Sequence, residues 1–246
     1  MKTQIRSESY KLVTTRTNLG VAAGMVALIA LAVLLHTFGL SLDRLSNVAG
    51  QRGVLIDVGV RLGTLFAALL GALAITSEFR TGTIRPTLLV TPRRTKVIAA
   101  KSICVLVAGA ITGLLAAGTA AGVGSIGLAA RGVTIQLTAG DITRLLLGAT
   151  LAGALWAVIG LGVGAVVRAQ VPTIVGLFAW VLFVENILGD VPSWQKFAPG
   201  SLGQALGGQV RDGILSSAAL AAVLLIAYAA LVALAGLTAT VRRDVA

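Results

Sequence analysis

SEFRTGTIRPTLLVTPRRTK, residues 77–96, is a polar island between two apolar runs. Each flanking run is about twenty residues long, the length a helix needs to cross a bilayer. A few residues suffice to join two helices. This connection uses twenty, and they include one glycine, two prolines and five cationic side chains. Ile75 and Thr76 close the preceding run, which leaves Glu78 and Arg80 at the lipid–water boundary. Thr81-Gly82-Thr83 reads as a break, because glycine takes turn conformations and Thr83 can cap a new helix. Residues 84–90 are long enough for about two helical turns. Pro86 is tolerated only near the start of such a helix. Thr91-Pro92 repeats the cap signal and opens the next long helix. Ile84, Leu88 and Leu89 give the short helix an apolar stripe, and Arg85 lies off it. The stretch therefore reads as a helix lying across the membrane surface. It is either a cationic anchor on the headgroups or a docking element for a partner, and its residues support both.

Composition points the same way. Of 246 residues, 57% are hydrophobic and 12% charged, with a mean hydropathy of +0.95. A soluble domain of this length needs far more polar surface. The net charge of +11 does not indicate nucleic acid. The cations sit in short connections between apolar runs, where they orient a chain against a bilayer. A nucleic-acid binder carries them on a soluble face with aromatics interleaved, and aromatics are only 4% here.

Six apolar runs emerge, at 19–40, 54–76, 97–121, 142–167, 171–188 and 214–239. They are continuous rather than alternating, so they read as helices and not barrel strands. The expected fold is all-α and polytopic, a single transmembrane domain over 1–246. An interfacial helix occupies 1–18, helices one and two 19–76, and the surface helix 77–96. Helices three to five follow over 97–188, a short helical segment in the outer leaflet over 189–213, and helix six with its tail over 214–246. The first run lacks a small-x-small cleavage site and reads as a retained helix. With both termini on one side, that side holds thirteen Lys and Arg against seven, which makes it cytoplasmic. Gly-x-x-x-Gly pairs at 20/24, 59/63, 109/113, 118/122 and 160/164 suit close helix approach in a bilayer.

Few side chains in the runs carry chemistry. Asp57 and Arg61 are four apart and share a helix face. They are either part of a path or outer gate, or a neutralised pair near the surface. Glu185 stands near the outer end of the fifth run and should face the outer segment or a base such as Lys196 or Arg211. Trp194 and Phe197 beside Pro192 and Pro199 mark that segment as membrane-interfacial. Cys104 is the only cysteine and reads as a packed side chain. His36 is the only histidine and has no ligand candidates near it, so no metal site is expected.

The stretch EFRTGTIRPTLLVTPRRTKVIAAK resembles the segment after the second helix in permease subunits of type-2 ATP-binding-cassette exporters. Glu78, Gly82, Thr83, Leu88, Leu89, Pro92, Arg94 and Lys101 carry the resemblance. ESYKLVTTRTN is similar to that family's N-terminal interface helix through Glu8, Lys11, Leu12, Thr15 and Arg16. VRAQVPTIVGLFAWVLFVENIL is similar to its fourth-to-fifth hairpin through Arg168, Gln170, Trp180 and Glu185, and WQKFAPGSLGQAL to its outer segment through Pro199 and Gly200. The arginine-over-lysine usage looks like that of actinobacterial members. The resemblance implies a half-transporter of the bacterial plasma membrane. Two such subunits, identical or different, would pair, and two separate ATPase subunits binding ATP-Mg would dock below. Glu78, Arg80, Gly82, Thr83, Arg85, Leu88 and Leu89 would then form the ATPase coupling element, helped by Glu8, Lys11 and Arg16.

The chain has no Gly-x-x-x-x-Gly-Lys-Ser/Thr, so it has no phosphate cradle of that kind. It is expected to bind no cofactor and to be no enzyme itself. An ion-coupled secondary transporter is the alternative, and it would need ionisable groups near the midplane and paired broken helices. An intramembrane enzyme would need a catalytic constellation that these residues do not supply. A non-transporting sensor or scaffold on the same fold remains the other alternative.

Overall fold

The computed structural model describes residues 2–83, 94–189, 191–210 and 213–242. Among them the regular structure is entirely helical. The helices are α1 (Lys2–Thr14), α2 (Arg16–Gly39), α3 (Leu42–Leu45), α4 (Val48–Thr81), α5 (Arg94–Ala130), α6 (Ala139–Val167), α7 (Gln170–Ile187), α8 (Pro192–Gln195), α9 (Pro199–Leu206) and α10 (Ala218–Arg242). Six of these, α2, α4, α5, α6, α7 and α10, are long and apolar enough to cross a membrane. The surface helix expected at 84–90, with Arg85, Leu88 and Leu89, lies outside the described residues.

α4 and α6 form the centre, with 72% of each apolar window buried, whereas α2, α7 and α10 bury 17%. Three spans therefore turn most of their surface outward. α5 packs on α4 and α6, α2 on α5 and α4, and α10 on α6. Small residues set these distances. A Cβ at Gly71 would overlap the Ala157 carbonyl, and one at Gly160 the Ala68 carbonyl. Without a hydrophobic force between helices in lipid, such close approach is what holds a bundle together. The Gly-x-x-x-Gly pairs 59/63, 109/113 and 160/164 sit at these contacts, while 20/24 and 118/122 face open space.

α4, α5 and α6 run further than their apolar runs, whereas α10 begins at Ala218, four residues after the start of its run. α5 has 37 residues, roughly 55 Å at about 1.5 Å each, well beyond a hydrocarbon core of about 30 Å. Caps rather than hydropathy set such ends. Thr138 and Asp141 form a capping box at α6, and Asn47 caps α4 through Gly50 N at 2.8 Å. α4 stops at Gly82, whose φ of 70° is the left-handed conformation glycine accepts readily. Within α4, residues Gly53–Asp57 wind as a π turn, and Trp180–Val184 do the same within α7. Each wide turn shifts the helix face beyond it.

Side-chain clasps tie the loops away from the termini. Arg131 donates to Thr37 O and Leu40 O at the end of α2, at 2.6 and 2.7 Å. Gln51 donates to Leu45 O and Thr134 O and accepts from Gln136 N. Arg52 pairs with Asp141 at 3.0 Å.

Candidate functional site: a buried ion cluster beneath the polar stretch

α1 buries one residue, and it is a carboxylate, Glu8. That is an unusual way to seat a helix, because a buried charge is costly unless it is paired and hydrogen-bonded. The partner is Lys101, which stands about 10 Å into α5 from Arg94 and is 2% exposed. Its ammonium has three hydrogens and each finds an acceptor. One goes to Glu8 Oε2, one to Glu78 Oε1 at 3.1 Å, and one to the Ala74 carbonyl at 3.0 Å. Lys11, one turn beyond Glu8, bridges the same two acids at 2.9 Å each. Two cations and two anions thus join α1 to the ends of α4 and α5, with no net charge.

Burial alone would push the Glu8 carboxyl up. The Lys101 charge, followed by hydrogen bonds from Lys101 and Lys11, overrides it and holds Glu8 below its ordinary value. Burial would likewise lower Lys11, but hydrogen bonds to Glu78 and Glu8 raise it above its usual value. Both shifts favour the charged forms, as a paired cluster requires.

The cluster lines a cavity of about 380 Å³ with Thr15, Asn18, Ser77, Arg80, Thr81, Thr83 and Gln170 also on its wall. Glu78 Oε2 and Gln170 Oε1 are buried there without a hydrogen bond from a described residue. Arg80 and Thr83 on its wall are exposed, as is Gly82 between Thr81 and Thr83 in the chain. Arg16 is the exposed first residue of α2 and not part of α1, since the helix is interrupted at Thr15. Cys104 is buried between α5 and α1, its sulfur 3.4 Å from the Ile5 carbonyl and 3.5 Å from Ser9 Oγ. Next to the cluster, Arg168 closes α6 with a φ of 58°, donates to Ala239 O at 2.7 Å, and lies 5.5 Å over the Phe79 ring.

The remaining candidates sit at the other end. Asp57 closes the π turn of α4. Arg61, one turn on, donates to Asn186 Oδ1 of α7. Glu185 faces the segment that follows α7. Its Oε1 accepts the Trp180 indole N–H at 3.0 Å and the Gly200 backbone N–H at 2.8 Å, which pins the start of α9 to α7. Residues 201–206 of α9 are all buried in the bundle. Among the described residues no group of three His, Cys, Asp or Glu could hold a metal.

In the sequence Lys101 reads as one of several cations near the polar stretch, and its place at the centre of the cluster is missed. A signal exists. Lys101 is a lone cation inside an apolar run, and Glu8 and Glu78 are two of only three acids on its side of the bundle. An intramembrane cation calls for such partners.

No known family model matches this chain, and a search of curated proteins returns no match.

Proposed function

We propose that this chain is the membrane-spanning permease subunit of an ATP-driven exporter. It works as a homo- or heterodimer in a bacterial plasma membrane, with both termini cytoplasmic, and is powered by separate ATPase subunits. The observation that carries this reading is the Glu8–Lys11–Glu78–Lys101 cluster. It links α1, α4 and α5 directly beside the polar stretch 77–96, where an ATPase would dock.

The mechanics follow from the geometry. Nucleotide binding to the partner would shift its contact with residues 77–96. That push reaches α4 and α5 through the backbone, because the stretch joins them. It reaches α1 chiefly through the ion cluster, because Glu8 is the one residue that α1 buries; the Cys104 contact with Ile5 and Ser9 is a weaker second link from α5. α4 is one of the two central helices, so a shift of α4 carries α6 with it across the Gly71 and Gly160 contacts. A partner that binds one arrangement of the bundle better than another biases the equilibrium by that difference in affinity. On this reading α1 is the membrane-surface helix that grips the ATPase, residues 77–96 are the coupling element, and α8 and α9 cap the outer face.

Two variants test it in the complex purified from native membrane. Leu88→Asp places a charge on the apolar stripe and is expected to abolish ATPase recovery while the permease stays inserted. Lys101→Met is expected to keep the ATPase bound but to lose the dependence of its turnover on the permease. Unchanged ATPase recovery with Leu88→Asp would contradict the proposal.

A further inference from the structure

The chain has three tryptophans, and all three line one cavity. Trp156 of α6, Trp180 of α7 and Trp194 of α8 surround about 570 Å³, with Tyr228 of α10 opposite. Bound small molecules occupy pockets of about 300–1,000 Å³, so the space suits a ligand. Its walls are almost wholly apolar side chains. It is separate from the ion cluster and lies towards the opposite end of the bundle.

Its position specifies what can enter. Tyr228 is ten residues from the start of α10, about 15 Å down the helix. That is half of a hydrocarbon core of about 30 Å, the depth of one leaflet. Trp194 and Trp180 are 67% and 40% exposed, whereas Trp156 is 1% exposed. The cavity therefore opens sideways between two exposed indoles and ends against a buried one. Gly176 lies on its wall, and a Cβ there would meet nothing within 4 Å. Lys196 does not line the cavity but stands in the chain between two residues that do, Trp194 and Phe197; it is exposed and makes no ion pair with a described residue.

We infer that this cavity binds one acyl chain of an anionic phospholipid from the leaflet away from the termini, with the lipid phosphate at Lys196. The tail fits a depth of one leaflet, and the exposed cation flanked by two wall residues, Trp194 and Phe197, suits the headgroup. Trp180 gives the site a consequence. Its ring faces the lipid tail, and its N–H holds Glu185, which in turn holds Gly200. An occupied cavity would brace the α7–α9 contact. The inference needs only that the six helices span a bilayer, so it stands whether or not an ATPase binds.

Bromine on a lipid tail quenches tryptophan fluorescence on contact. The test places the Trp180→Phe/Trp194→Phe variant, with Trp156 as its only indole, in bilayer nanodiscs of phosphatidylglycerol with 9,10-dibromostearoyl chains. The Trp180→Phe change removes one hydrogen bond to Glu185, but the Gly200 bond remains to hold the cap. The expected result is loss of most Trp156 emission, and recovery of it when Gly176→Leu fills the cavity. Dibrominated phosphatidylcholine should quench less, and Lys196→Gln should remove that difference. Emission from Trp156 unaffected by brominated lipid would overturn the inference. So would quenching that persists undiminished in Gly176→Leu. Equal quenching by the two headgroups would overturn its anionic part.

Discussion

Lys101 is the residue on which the lower end of the bundle depends. It compensates two carboxylates that are themselves buried, Glu8 and Glu78. Removing one member of a buried pair leaves an uncompensated charge and costs about 3–5 kcal/mol. Lys101→Ala is expected to destabilise by that amount in detergent unfolding, and Glu8→Gln in the same chain should recover part of it. Equal loss with and without Glu8→Gln would mean that the pairing does not matter. At the other end Gly200 plays an equally specific part. A Cβ there would run into the Glu185 carboxylate. Gly200→Ala should therefore cost roughly 1–3 kcal/mol, as overpacking does, and Glu185→Ala should relieve it. Glu8, Lys11, Glu78 and Glu185 stand out in the sequence, because charges beside apolar runs are few. The sequence does not pair them. Their neighbours are 93, 67 and 15 residues away in the chain, and only the packing of α1, α4, α5 and α9 brings them together.

α1 shows how an element can be seated mainly by charge, since the one residue it buries is Glu8. The carboxyl of Glu8 titrates below its ordinary value. Its contribution is therefore complete above the unfolded value of about 4.3 and lost as pH falls through the lower folded value. Lys11 titrates above its ordinary value. Its contribution is complete below the unfolded value of about 10.4 and lost only as pH rises through the higher folded value. Protection of the amides of residues 2–14, taken as the ratio of intrinsic to observed exchange rate, should thus be high across the neutral range and fall at acid pH before that of α4 or α6. Simultaneous release of all three helices would show that α1 is seated by something else. The central pair is held differently, by backbone contact at small residues. Gly71→Leu should cost at least the upper end of the roughly 1–3 kcal/mol of an overpacked core. Gly24→Leu, on an open face of α2, should change stability by less than about 0.5 kcal/mol. The six spans are legible because a run of twenty apolar residues has few other uses. Their ends are not, because Gly82, the Thr138 capping box and the π turn at Gly53–Asp57 decide them locally, outside the hydropathy signal. The Gly-x-x-x-Gly pattern tells that close contacts exist but not which glycines make them, since 20/24 and 59/63 look alike in sequence and differ in space.

At the scale of the molecule, the bundle has a hard centre, three spans that are mostly uncovered, and a charged joint at one end. Uncovered spans are what a second subunit would use, and the joint is where an ATPase would act. The proposed orientation, with both termini cytoplasmic, rests on the distribution of Lys and Arg. In a Cys104→Ala background, a cysteine at Ser193 should label from outside intact cells and one at Thr81 only after lysis. Both positions are exposed, so protection at Ser193 with labelling at Thr81 from outside would invert the topology. As proposed above, this chain would be the permease half of an ATP-driven machine. The most direct test is to pull the tagged chain from its native membrane in mild detergent and identify its partners by mass spectrometry. A stoichiometric ATPase with Walker motifs, lost on Leu88→Asp, is the expected result. Its reproducible absence, with the six-span chain intact and α1 still docked, would contradict the account.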